Sequence, residues 1–204
     1  MSQWIYAYLF PGPKQELKPV EIFDGFTNFG FEYDSRMITL NVDRDGHCVE
    51  DEIQEYRDTT TIRKLLNRGK SLSVTCRNNQ LWISCNFAIS AANPHIFLGW
   101  SSKCLRLLNE VERTAYYTHL RTASKKAQAA YVVFMEEVPD FFEDRFVPLD
   151  DIRLIDFSLP SGKLEPIHEI WIDHQIGGVI PQGADFFEGK EIGKSFFQYI
   201  PKIF

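Results

Sequence analysis

The sequence lacks the features that mark three classes of protein. No apolar run approaches the ~18 residues that a membrane-spanning helix needs, and Lys and Arg form no dense run beyond pairs such as Lys125-Lys126. None of the four cysteines belongs to a Cys-x-x-Cys pair. These absences argue against a membrane protein, against a nucleic-acid partner and against a Cys-x-x-Cys metal or redox site.

Complete catalytic signatures are missing as well. The chain contains no Gly-x-Ser-x-Gly, His-Glu-x-x-His, P-loop or Gly-x-Gly-x-x-Gly motif. Its first residues, Met1 to Tyr6, have neither the basic nor the apolar segment of a signal peptide. We therefore expect a cytoplasmic protein whose cysteines are reduced and buried.

What the chain does contain is typical of a folded protein. Of its 204 residues, 44% are hydrophobic and 25% are charged, which supplies a core without disulfide or metal staples. The net charge of −6 suits a basic partner better than a nucleic acid. We predict one domain over residues 1–204, with a subdivision near 102–104 as the alternative.

Hydrophobic periodicity predicts both strands and helices. Strict alternation over Leu81–Ile89 predicts an antiparallel hairpin with Ser71–Cys76. The continuous apolar run Tyr131–Met135 predicts a central strand. Helical spacing predicts a broken helical stretch over Val49–Arg68, and the Gly-rich last thirty residues are expected to be irregular. Further strands are predicted at Trp4–Phe10, Met37–Val42, His95–Ser101, Ile152–Phe157 and His168–Asp173.

The longest predicted helix covers residues 105–130. Leu108, Val111, Ala115 and Leu120, with Tyr116 and Ala123 nearby, form its expected buried stripe, because they recur at helical spacing. Strands and helices mixed in this way predict an α+β fold. The expected architecture is a mixed or mostly antiparallel sheet, with the long helix and several shorter helices packed on it.

One loop resembles the calcium-binding loop of EF-hand proteins. Counted from Asn41, oxygen-bearing side chains stand at positions one, three and five (Asn41, Asp43, Asp45), Gly46 at position six and Glu52 at position twelve. In EF-hands those positions wrap a hard cation in oxygen ligands, so the resemblance implies a calcium site. The interpretation we favour is a strand-to-helix turn with acidic residues at the helix N-terminus, which needs no cofactor.

A second acidic group follows the predicted central strand. Glu136, Glu137 and Asp140 stand where that strand ends, and strand carboxyl ends often hold active sites. The acidic clusters at 43–52 and 136–140 support an alternative function, a metal-dependent hydrolase or metal-binding protein that uses calcium or magnesium.

Two features are candidate binding sites. Trp82 falls on the outer face of the predicted hairpin, and Trp is a frequent anchor of protein interfaces. The loop that contains Gly177, Gly178 and Gly183 would bring its backbone close to a partner, although an ordinary tight turn has the same composition. The face around Trp82 would equally serve a homodimer.

The function that these observations favour is a non-catalytic protein-binding module. Its acidic surface and its missing active-site motifs indicate that it acts by covering a partner, not by chemistry. Bacterial immunity proteins, which neutralise toxins, are similar in this general character. The similarity implies an inhibitor of a basic protein partner, with no nucleic acid and no membrane involved.

Overall fold

The computed structural model describes ten segments of the chain, which are 4–12, 15–42, 48–55, 59–68, 72–78, 83–89, 96–136, 167–176, 187–192 and 196–201. They form fourteen main elements in the order β1 (Trp4–Pro11), α1 (Pro19–Asn28), β2 (Glu32–Val42), β3 (Cys48–Glu55), α2 (Thr59–Asn67), β4 (Leu72–Asn78), β5 (Ile83–Ile89), β6 (Ile96–Ser101), α3 (Ser102–Leu107), α4 (Glu110–Lys126), β7 (Ala129–Glu136), β8 (Ile167–Asp173), β9 (Phe187–Ile192) and β10 (Phe196–Pro201).

All ten strands belong to one sheet, and every described pairing in it is antiparallel. The strand order is β3-β2-β4-β5-β6-β1-β7-β8-β10-β9. This confirms the predicted α+β class with an antiparallel sheet. Strand β1 lies between β6, which precedes residues 102–104 in the chain, and β7, which follows them. The sheet therefore includes strands from both sides of the subdivision that was considered, and the single-domain assignment stays a prediction.

Strong local patterns gave elements close to those predicted. The hairpin is present as β4 and β5, with Cys76 opposite Cys85 in the register. The apolar run at 131–135 lies within β7, between β1 and β8 near the middle of the sheet. None of the described helices is long and apolar enough to cross a membrane. The strand predicted at Ile152–Phe157 lies outside the described residues.

Three predicted elements differ from the structure. Residues 48–55 form strand β3, which pairs with β2, so the helical prediction from Val49 was wrong up to residue 55. The predicted helix over 105–130 is two helices, α3 and α4, and residues 129–130 already belong to β7. Within the tail that was expected to be irregular, β9 and β10 pair with each other, and β10 pairs with β8.

The described core lies between the four helices and one face of the sheet. Ala7, Leu98, Val132 and Trp171 contribute from four neighbouring strands, and Phe26 contributes from α1. Residues that alternate with these on the strands are buried on the opposite face, so the middle of the sheet is buried on both faces: Phe10, Tyr131, Val133, Ile170 and Ile172.

Helix α1 is fixed at both ends by local sequence. Pro19 occupies its first turn, where a missing N–H costs nothing. Gly30 adopts φ +83 just past its end, and its N–H donates to the Thr27 carbonyl while the Phe31 N–H donates to the Phe26 carbonyl. The Phe26 and Phe31 rings then meet edge to face at 4.9 Å. This Schellman arrangement sends the chain directly into β2.

Candidate protein-binding surface

The turn between α3 and α4 is held by a reciprocal capping box. The Asn109 side chain accepts from the Glu112 N–H at 3.0 Å, and the Glu112 carboxylate accepts from the Asn109 N–H at 2.9 Å. Arg113 donates to the Leu108 carbonyl at 3.2 Å, and Leu108 itself is buried. Because two donors at the helix start are satisfied and the preceding residue is anchored, the turn has a defined geometry.

This turn leaves two large apolar side chains in solvent. Leu107, the last residue of α3, is 69% exposed, and Val111, in the first turn of α4, is 78% exposed. The predicted buried stripe was therefore right for Leu108 and Leu120 but wrong for Val111 and for Ala115, which is also exposed. The observed stripe of α4 runs through Tyr116, Leu120, Ala123 and Ser124.

The side of α4 opposite this stripe carries an uncharged surface, which we call the outward α4 face. Its members lie within an arc of about 100° at the ordinary 100° per residue, all are exposed, and none is charged: Val111, Thr114, Ala115, Thr118 and Thr122. The charged Lys125 continues this arc at the C-terminal end of the helix, and the exposed Glu110 and Lys126 lie beside the arc on opposite sides. The exposed side of a surface helix is normally rich in charge, so this face is a candidate contact surface.

Two of its threonine hydroxyls are already hydrogen-bonded within the helix. Thr122 Oγ1 donates to the Thr118 carbonyl at 2.9 Å, and Arg121 donates to Thr118 Oγ1 at 3.0 Å. A partner that covers these two hydroxyls therefore buries groups that keep a hydrogen bond, and the cost of removing them from water is small.

The inner side of α4 is packed tightly against α1. A Cβ at Gly25 would come within 2.8 Å of the Ala123 Cβ, so the two helix backbones approach each other at this glycine. One turn earlier, the His119 ring stacks on Phe29 with centroids 4.2 Å apart and an interplanar angle of 10°. These contacts hold the outward α4 face at a fixed position on the body of the protein.

A cluster of charged and aromatic side chains joins α4 to β8. The Arg121 guanidinium lies over the Trp171 ring, 5.4 Å from its centroid, and the Trp171 indole N–H donates to the Glu169 carboxylate. The Tyr117 ring meets the Trp171 ring at 5.8 Å. Burial and the nearby Glu169 charge raise the pKa of Tyr117 to about 12, although Arg113 acts in the opposite direction. Tyr117 therefore stays a neutral phenol, and the cluster anchors α4 on the sheet.

His119 makes the α1–α4 contact sensitive to acid. Burial of the ring lowers the pKa of His119 below its ordinary 6.5, and the Lys126 charge lowers it further, while the backbone of Gly25 acts in the opposite direction. The neutral form therefore predominates at pH 7. A histidine with a lowered folded pKa contributes full stability above about pH 6.5 and loses it as the pH falls toward the folded pKa.

We expect the His119→Phe variant to remove this loss while keeping the ring stack on Phe29. The free energy of unfolding, from urea titrations at pH 7.5 and pH 5.5, should fall more for the wild-type protein than for the variant. Other groups titrate equally in both proteins and cancel in the comparison. An equal fall in both would show that His119 does not titrate differently on folding.

The sequence-predicted site residues fall partly outside the described segments. Trp82, Gly177, Gly178 and Gly183 lie outside them, as do Asp43 and Asp45. Asn41 and Glu52 belong to the paired strands β2 and β3, where Asn41 lies opposite Glu50 and Glu52 opposite Thr39. A strand, not a helix, thus follows the predicted calcium loop, and its metal binding stays a prediction.

The remaining chemical candidates give no assembled reactive site within the described segments. No group of three His, Cys, Asp or Glu side chains there is placed to hold a metal ion. Glu136 ends β7, whereas 137–140 lie outside the described residues. Burial raises the pKa of Cys76 to about 12, so this free thiol stays protonated. The described part of the chain thus offers its most distinctive surface at α3 and α4.

Comparisons with known proteins identify no family for this chain. No family model matches the chain, and no curated protein matches it. Among solved structures, the chain is similar to the Pseudomonas aeruginosa T6SS protein PA0821, with 8% sequence identity and a TM-score of 0.40. The alignment covers 97% of this chain and 65% of that one. A likeness of this size carries no argument about function.

Proposed function

We propose that this protein is a non-catalytic protein-binding module that binds through the outward α4 face and Leu107. The observation that carries the proposal is the exposure of Leu107 and Val111, 69% and 78%, on either side of the α3–α4 turn. Single exposed apolar residues are common on protein surfaces. Here, Val111 belongs to an uncharged helix face and Leu107 lies four residues before it in the chain, and exposed apolar residues of this kind are typical of interfaces with an apolar centre.

The rigidity of this surface supports the proposal. The capping box at Asn109 and Glu112 and the close α1–α4 approach at Gly25 place the exposed side chains before any partner arrives. A preformed surface binds more tightly than a mobile one, because less conformational entropy is lost on association.

The finer form of the proposal is an immunity-type inhibitor that covers a basic protein partner. It is supported by the net charge of −6, since opposite net charges speed association and favour the correct partner. If the partner is basic, its affinity should fall as salt rises from roughly 50 to 300 mM, because salt screens the charges at the rim. An affinity that is independent of salt would contradict the basic partner while leaving the binding surface intact.

The surface itself is tested by the Val111→Lys variant. Tagged wild-type protein is used to capture partners from its native host, and the affinity of each purified partner is then measured by calorimetry. Loss of the apolar contact and the added positive charge should weaken a genuine partner by at least about tenfold, as expected for an interface anchor. Thr60→Lys is the matched control, because Thr60 is exposed in the first turn of α2.

Two results would contradict the proposed surface. One is a partner that binds the Val111→Lys variant as tightly as the wild-type protein. The other is a partner that both lysine variants weaken equally, which would show a general charge effect.

A further inference from the structure

We infer that Cys76 and Cys85 are a reversible disulfide site, which closes between β4 and β5 when the protein meets a small-molecule disulfide such as oxidised glutathione. The structure describes the reduced form, in which the Cys76 thiol is free. The inference is independent of the proposed binding surface, because it concerns a different part of the molecule.

The register of β4 and β5 brings the backbones of the two cysteines together. Cys76 lies directly opposite Cys85, within a run of antiparallel pairs that continues without a register shift from Leu72 to Asn78. Directly opposite residues in an antiparallel pair have Cα atoms about 4.5 or 5.5 Å apart. A disulfide forms when this distance is between about 4.4 and 6.8 Å. Either spacing is suitable, so the bond needs no change of register.

The register also places both cysteines on the face of the sheet that meets the helices. Cys76 is buried in the core on that side. Phe87, two residues after Cys85, lies opposite Leu98, which belongs to the same core. Because alternate residues of a strand share a face, Cys85 is placed on the same face as Cys76.

The spacing of the Cβ atoms favours a bond that opens again. Opposite residues of an antiparallel pair have Cβ atoms about 4.5–5.5 Å apart, whereas bridged cysteines have Cβ atoms about 3.5–4.5 Å apart. Closing the bond therefore draws β4 and β5 slightly together, and a disulfide that departs from its ideal geometry is more easily reduced. An excess of reduced glutathione should thus reopen it.

The fold keeps the other two cysteines out of comparable positions. Cys48 begins β3, and strand β2 lies between β3 and β4. Neighbouring strands are about 4.8 Å apart, so Cys48 is about 10 Å or more from Cys76, beyond the reach of a disulfide. Cys104 lies in α3, outside the sheet. Within the described strands, Cys76 and Cys85 are therefore the pair that the register selects.

The reaction exchanges one disulfide for another. One cysteine sulfur loses its proton and attacks a sulfur of oxidised glutathione, which releases one glutathione thiol. The second cysteine then displaces the other glutathione from this mixed disulfide. The two protein thiols lose two electrons and two protons, which are recovered in two molecules of reduced glutathione. Burial raises the pKa of Cys76 to about 12, so the folded protein holds little thiolate there and the exchange is fastest while the chain folds.

The test is refolding of the full-length chain from urea into a buffer of reduced and oxidised glutathione. Remaining thiols are then alkylated, and the protein is digested with trypsin without reduction. Trypsin cleaves after Lys and Arg, so each cysteine falls in a different peptide, which are 45–57, 71–77, 78–103 and 104–106. Mass spectrometry should find peptides 71–77 and 78–103 joined, with every other pairing at least about tenfold less abundant.

The unfolded chain is the control for closeness in sequence. The equilibrium constant for bridge formation against glutathione is measured in buffer and in concentrated urea, and it should be at least about tenfold higher in buffer. The fold and the bond favour each other by the same factor. The oxidised protein should therefore be more stable to urea than the reduced protein, by about 1.4 kcal/mol for each tenfold. Equal constants in buffer and urea would overturn the inference.

Alanine variants assign the bond to its two sulfurs. Cys85→Ala should lose the joined peptides, whereas Cys104→Ala should keep them, and circular dichroism checks that both variants are folded. The peptide map of the wild-type protein decides the question even where a variant does not fold. A different pairing that predominates, or glutathione adducts without a bridge, would overturn the inference and leave the proposed binding surface unaffected.

Discussion

Replacing Trp100 with alanine is expected to lower the free energy of unfolding by about 3–5 kcal/mol, the usual cost of removing a large buried aromatic ring. Trp100 lies in β6 with 0% of its surface exposed. Its ring makes edge contacts with Tyr116 of α4, at 5.9 Å, and with Phe134 of β7, at 6.3 Å. The ring therefore joins the longest helix to two strands, and few neighbours could move to fill the space that it leaves.

The matched variant for this prediction is Trp100→Phe. The Trp100 Nε1 is buried and has no hydrogen-bond partner among the described residues. Phenylalanine gives up ring volume and leaves a small cavity, but it also removes a buried donor that has no partner, so we expect a loss of about 1–2 kcal/mol. Urea unfolding measures the loss of stability in both variants, provided that the m-value is the same as in the wild-type protein. If the two variants lose the same stability, the indole N–H has a partner and ring volume is not the main contribution.

The parts of the fold that the sequence predicts well are those set by local periodicity. Alternation over 81–89 is a signal that strand β5 carries by itself, and the apolar run of β7 indicates a strand buried on both faces. The structure shows Tyr131 and Val132, on opposite sides of β7, both buried. In such segments the pattern and the tertiary environment favour the same element.

Strand β3 shows why other parts could not be predicted. Its sequence, Cys48 to Glu55, contains four carboxylates and little of the β-branched or aromatic content that strands favour. What makes it a strand is its antiparallel pairing with β2. The composition of β3 itself does not encode that pairing, although Asp45-Gly46, in the five residues between the two strands, is a hairpin signal.

The candidate surface was hidden by a similar ambiguity. Apolar residues occur on both sides of α4, so Val111 and Ala115 fit a buried stripe as well as Tyr116 and Leu120 do. Only packing against α1 and the sheet decides which side is covered. One signal was nevertheless available: Asn109 followed three residues later by Glu112 is a capping-box pattern, and it would have divided the predicted helix and drawn attention to Leu107.

The Gly25→Ala variant is expected to destabilise the protein by about 1–3 kcal/mol, the usual cost of overpacking a close contact. Alanine favours helix more than glycine does, so an isolated α1 would gain from this change. In the folded protein, however, the new methyl group would come within 2.8 Å of the Ala123 Cβ. Both atoms are Cβ atoms, which no side-chain rotation can move. The contact is therefore relieved only if helix α1 moves away from α4.

A double variant tests whether the methyl group added at Gly25 clashes with Ala123. Ala123→Gly alone should cost about 1 kcal/mol through its lower helix propensity. In the Gly25→Ala/Ala123→Gly protein the methyl group is moved from one helix to the other, and the double variant should be more stable than the sum of the single losses by about 0.5–3 kcal/mol. Asn28→Ala, at an exposed position of α1, controls for helix propensity. Purely additive losses would show that α1 and α4 do not meet at this glycine, and the support behind the outward α4 face would then lie elsewhere.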